Sequence, residues 1–231
     1  MFIGHYGPAV WDAHRTNGVK LWHGFLAVQA IDLVFCIFAI FGLEGGPLPD
    51  ASHPLMFNIQ YSHSLLGAVV ISFCVAGLYR FLRPIAGRKG ALVMGLLTFS
   101  HWALDWLVHR PDLPLIPHGD IMLGLGLWDF AWPSYIFEVI LLGSMIIWWM
   151  RVTTGPKWTI FVSGFLVLIL AGLQFVAITA PTLMVQQGTF DPASLGNPTV
   201  TAIVGLIVFC VTIAAVAAIE HRRVPVLNPQ T

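Results

Sequence analysis

Charged residues are scarce in this sequence. Asp, Glu, Lys and Arg make up 10% of the 231 residues, against about 25% in an ordinary soluble domain. Hydrophobic residues make up 57%, and the mean hydropathy is +0.81. This composition excludes a soluble globular domain and predicts an integral membrane protein. The formal net charge is zero, which gives no reason to expect a nucleic acid as a partner.

Cysteine is nearly absent as well. The three cysteines, Cys36, Cys74 and Cys210, all lie inside apolar runs, and no CxxC spacing occurs. An odd number in this pattern argues against a disulfide framework and against a thiolate zinc site, so we expect buried, inert thiols. The first residues also lack a basic segment followed by a short apolar one, so no cleaved signal peptide is expected.

Six apolar runs are long enough to cross a bilayer as helices. They cover residues 21–43, 63–83, 90–109, 127–150, 158–180 and 199–219. We therefore predict an all-α integral membrane protein with about six transmembrane helices in a single membrane domain. Residues 1–150 contain four helices that carry polar groups. Residues 151–231 contain two scaffold helices, apolar enough to contact membrane lipids or a membrane-protein partner.

The basic residues predict the orientation of the helices. All of them except Arg110 fall on one side of the predicted membrane. Because loops rich in Lys and Arg stay in the cytoplasm, both termini are expected there. A re-entrant run would reverse the later helices. Residues 1–14 are apolar but too short to span, so they form either an interfacial helix or a half-helix that dips into the protein.

The third apolar run ends in a stripe of titratable side chains. His101, Asp105, His109 and Asp112 fall within about 80° of one another on one helical face. Such groups are costly in lipid, so they require a partner, a water-filled cavity or a metal ion. A stripe of His and Asp is the composition expected of a metal site. His109 and Asp112 also have a simpler interpretation, as interfacial salt-bridge partners beside Arg110.

Other helices place ionisable groups at compatible depths. Counting 1.5 Å per residue from the basic ends puts three groups near the bilayer centre: Asp32, His101 and Glu138. Three more lie nearer the outer side: His63, Asp105 and His109. We therefore predict one polar cavity that opens outward. If residues 1–14 dip into the protein, His5 reaches the level of His101. The remaining histidines are interpreted as structural or solvated: His14, His23, His53, His118 and His221.

Four pieces of sequence occur in a recognisable order. They are Gly4-His5, an Asp in the first apolar segment, Ser62-His63-Ser64-Leu65-Leu66, and Ser100-His101-x-x-x-Asp105 followed by Pro111-x-x-Pro114. This order resembles the YdjM-like family of membrane-bound, metal-dependent hydrolases, over roughly residues 1–118. The resemblance implies a multi-pass protein of the inner (plasma) membrane. It also implies a set of ligands or catalytic groups: His5, Asp32, His63, His101 and Asp105.

The resemblance is incomplete in the first segment. The family often has a Pro-Asp-x-Asp-His cluster there, whereas the matching stretch Gln29–Val34 has one acid and no histidine. His109 and Asp112 on the third helix could compensate for the missing groups.

These observations favour a metal-dependent hydrolase. One divalent ion, zinc in preference to manganese, is bound by His63, His101 and Asp105, with His5 or Asp32 as a further ligand and His109 as a remaining candidate. The ion activates a water molecule, and Asp32 or Glu138 serves as general base or orients a ligand. The substrate is a lipid-like or small molecule with an ester, phosphoester or amide bond.

Three other functions are compatible with the same sequence. A proton-coupled transporter would relay protons through the intramembrane acids and His101, although no inverted repeat occurs and the polar groups lie to one side. A b-type haem protein would use His63 and His101 as axial ligands, although their predicted depths differ by about two helical turns. A non-catalytic subunit of a membrane complex would use the last two helices for contact.

Overall fold

The computed structural model describes residues 1–11, 13, 19–46, 57–190 and 197–226. The chain is 72% helical, so the prediction of an all-α membrane protein is confirmed. The helices are α1 (Leu21–Val28), α2 (Ala30–Ile40), α3 (Leu65–Leu82), α4 (Gly87–Val108), α5 (Ala131–Val152), α6 (Trp158–Gln174), α7 (Ala180–Gln186) and α8 (Pro198–Glu220). His14 and His53 lie outside the described residues.

The short elements connect these helices. Four 3-10 turns cover Ile3–Tyr6, Pro8–Val10, Pro84–Ala86 and Leu127–Asp129, and a π-helical turn, Phe175–Thr179, joins α6 to α7. Two antiparallel pairs of two-residue strands complete the fold: β1 (Leu113–Pro114) with β2 (Met122–Leu123), and β3 (Thr153–Thr154) with β4 (Val224–Pro225).

Five helices are long and apolar enough to cross a membrane: Leu65–Leu82, Pro84–Val108, Ala131–Val152, Trp158–Gln186 and Pro198–Glu220. A sixth span is present if α1 and α2, which are bent by 48° relative to each other, count as one. Each of the six predicted runs thus overlaps one of these spans. Large apolar side chains such as Phe73, Phe81 and Phe161 are exposed on their outer faces, as expected for contact with lipid.

The break between α1 and α2 lies at Gln29. The buried Gln29 side chain donates to Asp32 Oδ2 at 2.5 Å. One residue earlier, the Val28 carbonyl accepts a hydrogen bond from His101 Nδ1 at 2.6 Å. In a bilayer, a broken helix requires such partners for its backbone groups. The bend therefore brings α2 and its aspartate against α4.

Of the two alternatives for the N-terminal residues, the structure has the one in which they dip into the protein, but as two buried 3-10 turns rather than a half-helix. The second turn packs closely on α1 at Gly24, where an added Cβ would lie 2.5 Å from the Ala9 carbonyl oxygen. The first turn is held by Glu138 of α5. Its Oε2 accepts from the backbone N–H groups of Phe2 and Gly4, at 2.9 and 3.2 Å.

The basic ends of three helices lie together. Lys20, Arg83 and Arg223, which precede or follow α1, α3 and α8, line one cavity. This grouping is consistent with the predicted placement of basic residues on one side. The expectation for the cysteines is corrected in part. Cys36 is buried, but Cys74 and Cys210 are exposed on the faces of α3 and α8, because these helices have few inward-facing positions.

Candidate metal centre

Six residues from the predicted site form one cluster: His5, Asp32, His63, His101, Asp105 and His109. They come from the first 3-10 turn, α2, the turn before α3, and α4 with the residue that ends it. Asp32 is the most accessible member, with 17% of its side chain exposed, and the others are buried. The cluster is therefore a largely enclosed polar group within the bundle.

Asp105 lies at the middle of this cluster, and its two oxygens face different histidines. Oδ2 lies 3.1 Å from His101 Nε2 and 3.7 Å from His63 Nε2. Oδ1 lies 3.2 Å from His5 Nε2 and 3.7 Å from His109 Nε2. The Met1 amine also contacts Oδ1. Asp105 thus links all four histidines.

Asp32 completes a set of four converging atoms. Its Oδ1 lies 3.3 Å from His63 Nε2 and 3.5 Å from His101 Nε2. We call this set the first ion site; His63 Nε2, His101 Nε2 and Asp105 Oδ2 are its candidate ligand atoms, and Asp32 Oδ1 lies beside them. Bonds of 2.0–2.1 Å to a tetrahedral zinc ion place neighbouring ligand atoms about 3.4 Å apart. The four carboxylate–imidazole separations within the set span 3.1 to 3.7 Å, and Asp32, His63 and His101 each offer a ligand atom within 4.8 Å of the others, so the group is of a size that fits a divalent ion.

The outer nitrogens of two histidines identify their tautomers. His101 Nδ1 donates to the Val28 carbonyl, and His109 Nδ1 lies 3.0 Å from Asp112 Oδ1, an acceptor. A neutral imidazole carries one proton, so each Nε2 then presents a lone pair to the cluster. This arrangement, an imidazole oriented by an outer acceptor, is typical of metal-binding histidines.

His63 is oriented through a serine and a glutamate. The Ser62 hydroxyl donates to Glu44 Oε2 at 2.7 Å, so it accepts from His63 Nδ1, 2.8 Å away. The Glu44 carboxylate is buried and also accepts from the backbone N–H groups of Tyr61 and Ser62, at 2.5 and 3.0 Å. Glu44, Ser62 and His63 therefore form a chain that directs the His63 Nε2 lone pair toward Asp32.

The close approach of imidazole nitrogens to carboxylate oxygens requires positive charge. At 3.1 to 3.7 Å, that charge is either a proton on Nε2 or a metal ion bound between the groups. Among the described residues, His101 Nε2 and Asp105 Oδ2 are buried without a hydrogen-bond partner. Imidazole with carboxylate is a donor set that zinc and manganese accept. The residues present thus fit a divalent ion.

We expect Ser62→Ala to weaken zinc binding by about 10- to 100-fold, because His63 loses the partner that fixes its ring. The measurement is competition with a chromophoric chelator in detergent. Ser100→Ala is the matched control, since the Ser100 hydroxyl donates to the Leu97 carbonyl within α4 and touches no ligand. Equal affinities of Ser62→Ala and the wild type would contradict the proposed orientation of His63.

Glu138 does not face the ion site. Besides its bonds to the N-terminal turn, Glu138 Oε1 accepts from Gln174 Nε2 at 2.9 Å, so both oxygens have N–H donors. The sequence correctly brings Glu138 near the cluster in depth. Its contacts, however, give it a part in holding the turn that carries His5, rather than a place from which it could remove a proton from water at the ion site.

The predicted separation of His63 from His101 is wrong. Their ring centroids lie 5.6 Å apart, and both Nε2 atoms reach the same Asp32 oxygen. The reason is that the turn before α3 packs against α4, where Trp102 Nε1 donates to the His63 carbonyl at 2.9 Å. With the carboxylates of Asp32 and Asp105 against both Nε2 atoms, no space remains for a porphyrin between the two imidazoles.

The other histidines within the described residues lie outside the cluster. His23 Nδ1 is 3.2 Å from the Tyr79 hydroxyl, His118 Nε2 is 2.9 Å from the Tyr61 hydroxyl, and His221 is exposed. Arg110 pairs with Asp129 at 2.6 Å. His109 and Asp112 therefore pair with each other, and the interpretation of these two residues as partners of Arg110 is not needed.

Glu44, Gln29 and Gln174 are polar residues of the site that sequence reasoning missed. Glu44 directly follows an apolar run and precedes a Gly-Gly pair, which resembles a solvated connector. Glutamine carries no charge, so Gln29 and Gln174 attract less attention than an acid within an apolar segment. Their depth within predicted spans was the available signal.

No family model, no curated protein and no solved structure matches this chain. The geometry of the cluster is therefore the main support for a function.

Proposed function

We propose that this protein is a metal-dependent hydrolase embedded in the inner membrane. The observation that carries the proposal is the buried set of imidazole nitrogens facing two carboxylates in the first ion site. Zinc is the preferred ion, with manganese as the alternative. The resemblance of the His and Asp motifs to the YdjM-like hydrolases supports the same activity.

When bound, such an ion lowers the pKa of a water molecule and polarises the bond to be broken. The chain's own residues supply the rest. His63, His101 and Asp105 are fixed by outer partners or by the helix, so they hold their positions before a substrate arrives. Asp32 is the accessible member, so water and substrate reach the site beside it.

Asp32 is the residue that we assign as general base. Its Oδ2 is hydrogen bonded to Gln29, which fixes the carboxylate, while Oδ1 faces the ion site. A carboxylate oriented in this way can accept a proton from a water molecule bound beside it. The substrate we propose is a lipid-like ester, phosphoester or amide, because Asp32 lies on α2, an apolar helix whose Ile37 side chain is exposed on the outside of the bundle.

The experiment is a hydrolysis assay with the full-length protein in detergent, using fluorogenic lipid esters, phosphoesters and amides. We expect turnover after zinc or manganese loading, loss of turnover with a chelator, and at least a 100-fold loss in Asp32→Asn. Asp120→Asn, in the loop between β1 and β2, is the control and should retain activity. Metal-loaded protein that cleaves none of the three lipid classes would contradict the proposal.

A proton-coupled transporter is the second candidate. It is favoured by one observation, the burial of every cluster member except Asp32, because protons and ions need less room than a lipid headgroup. Proteoliposomes loaded with a pH-sensitive dye test it directly. Solute-dependent proton flux that is abolished in Asp105→Asn would support transport in place of hydrolysis.

A further inference from the structure

The cluster contains more ligand atoms than the first ion site uses. Asp105 Oδ1, the second oxygen of this carboxylate, has two further imidazoles near it, with His5 Nε2 at 3.2 Å and His109 Nε2 at 3.7 Å. These separations are again those of neighbouring ligands around one ion, about 3.4 Å. All three side chains are buried.

We propose that a second divalent ion binds to His5, His109 and Asp105 Oδ1, so that the Asp105 carboxylate bridges two ions. The inference rests on the proposed metal centre and extends it. It requires nothing from the substrate, so it can be tested without an activity assay.

His109 has the orientation of a metal ligand. Asp112 Oδ1 accepts from its Nδ1 at 3.0 Å, and Trp128 packs against its ring with the centroids 4.3 Å apart. A carboxylate behind an imidazole fixes the ring and raises its basicity toward a metal ion. The His109 Nε2 atom lies 3.7 Å from Asp105 Oδ1, the oxygen that His5 also faces, so we assign it to the second ion.

The environment of His5 also supports a second ion. Its side chain is fully buried, and among the described residues neither ring nitrogen has a hydrogen-bond partner. Its ring stacks on His101 with centroids 3.5 Å apart and an angle of 8°, so Nε2 is directed toward the same carboxylate. Burying an imidazole without hydrogen-bond partners destabilises the fold, and coordination of an ion would remove that cost.

The bridge follows from the two oxygens of Asp105. Two ions held by one carboxylate lie about 3.5–4 Å apart in hydrolytic enzymes that use metal pairs. The Met1 amine contacts the same Oδ1, so an ion at this position takes the place of that contact. Asp105 Oδ1 is thus positioned to contact a cationic group.

The test is zinc stoichiometry of the full chain in detergent, measured by equilibrium dialysis and mass spectrometry of the metal. We expect two zinc ions per wild-type chain and one per chain in His109→Ala. His109→Gln keeps a side chain that can bond to Asp112 and should also bind one ion, which excludes simple misfolding. His221→Ala, which changes an exposed histidine after α8, is the matched control and should bind two.

X-ray absorption of the loaded wild type then reports the distance between the ions. Zinc–zinc scattering at about 3.5–4 Å is expected, and it should disappear in His109→Ala. One zinc per wild-type chain, two ions without this scattering, or an unchanged count in both His109 variants would each overturn the second ion.

The outcomes separate this inference from the proposed hydrolase. Two adjacent ions in a protein that cleaves no lipid would support the second ion and contradict the hydrolase. A single ion in a protein that cleaves lipid would support the hydrolase and contradict the second ion. Absence of zinc binding would overturn both.

Discussion

Replacing Asp105 with asparagine should abolish zinc binding at every site in the protein while leaving the fold intact. Each oxygen of Asp105 faces two imidazole nitrogens, so the substitution removes the charge that all four histidines share. Changes to outer partners of ligands already cost 10- to 100-fold in affinity. Loss of this central carboxylate should cost more than about 100-fold, or more than about 2.7 kcal/mol.

The measurement is the zinc dissociation constant from chelator competition, together with the thermal unfolding midpoint of the metal-free protein. Asp129→Asn is the control. It changes a half-exposed aspartate on the loop before α5, whose carboxylate pairs with Arg110 instead of the cluster. If Asp105→Asn bound zinc within threefold of the wild type, on the order of 0.7 kcal/mol, the cluster would not be a metal centre.

The second large effect is expected for Gly24→Ala. The new methyl group would lie 2.5 Å from the Ala9 carbonyl oxygen, and backbone atoms of Ala9 come within 3.2 Å. The N-terminal turns must then move away from α1, at a cost of about 1–3 kcal/mol. Because Ala9 is close in sequence to His5, we expect His5 to lose its place beside Asp105. The unfolding midpoint should fall, and zinc binding by His5 should be lost.

Gly143→Ala is the matched control, for which we expect no loss of stability. Gly143 lies within α5, and no described atom lies within 4 Å of the position its Cβ would occupy. Alanine within a helix is favoured over glycine by about 0.5–1 kcal/mol, so this variant should be unchanged or slightly more stable. Gly24→Ala with wild-type stability and zinc content would show that close packing of the N-terminal turn on α1 is unimportant for the cluster.

The parts of the fold that could be predicted depend on local hydrophobic periodicity and on the free-energy cost of placing polar groups in a bilayer. Runs of about twenty apolar residues locate the spans, because a bilayer allows few alternatives to helix. The stripe of His101, Asp105 and His109 is also readable, since three positions four residues apart share a face. Asp32 is conspicuous because an acid within a span is rare.

Other features could not be predicted from the sequence, because they depend on contacts between residues on different helices of the bundle. The bend at Gln29 follows no proline, and the contact across the bundle at this point is the hydrogen bond from His101 of α4 to the Val28 carbonyl. The role of Glu138 depends on the turn that folds back over α5, which is more than a hundred residues away in sequence. Depth counting placed His63 too high, because it assumed straight helices and ignored the contact of its turn with Trp102.

The contact of the N-terminal turn with Glu138 and Gln174 has a consequence for biosynthesis. His5 leaves the ribosome first, but the residues that hold its turn follow much later, with 136 positions separating Phe2 from Glu138. At 5–20 residues per second, this interval lasts on the order of 10 s. During that time the four acids and imidazoles of α2, the following turn and α4 can already meet. The histidine that is made first is thus the last to reach its final position.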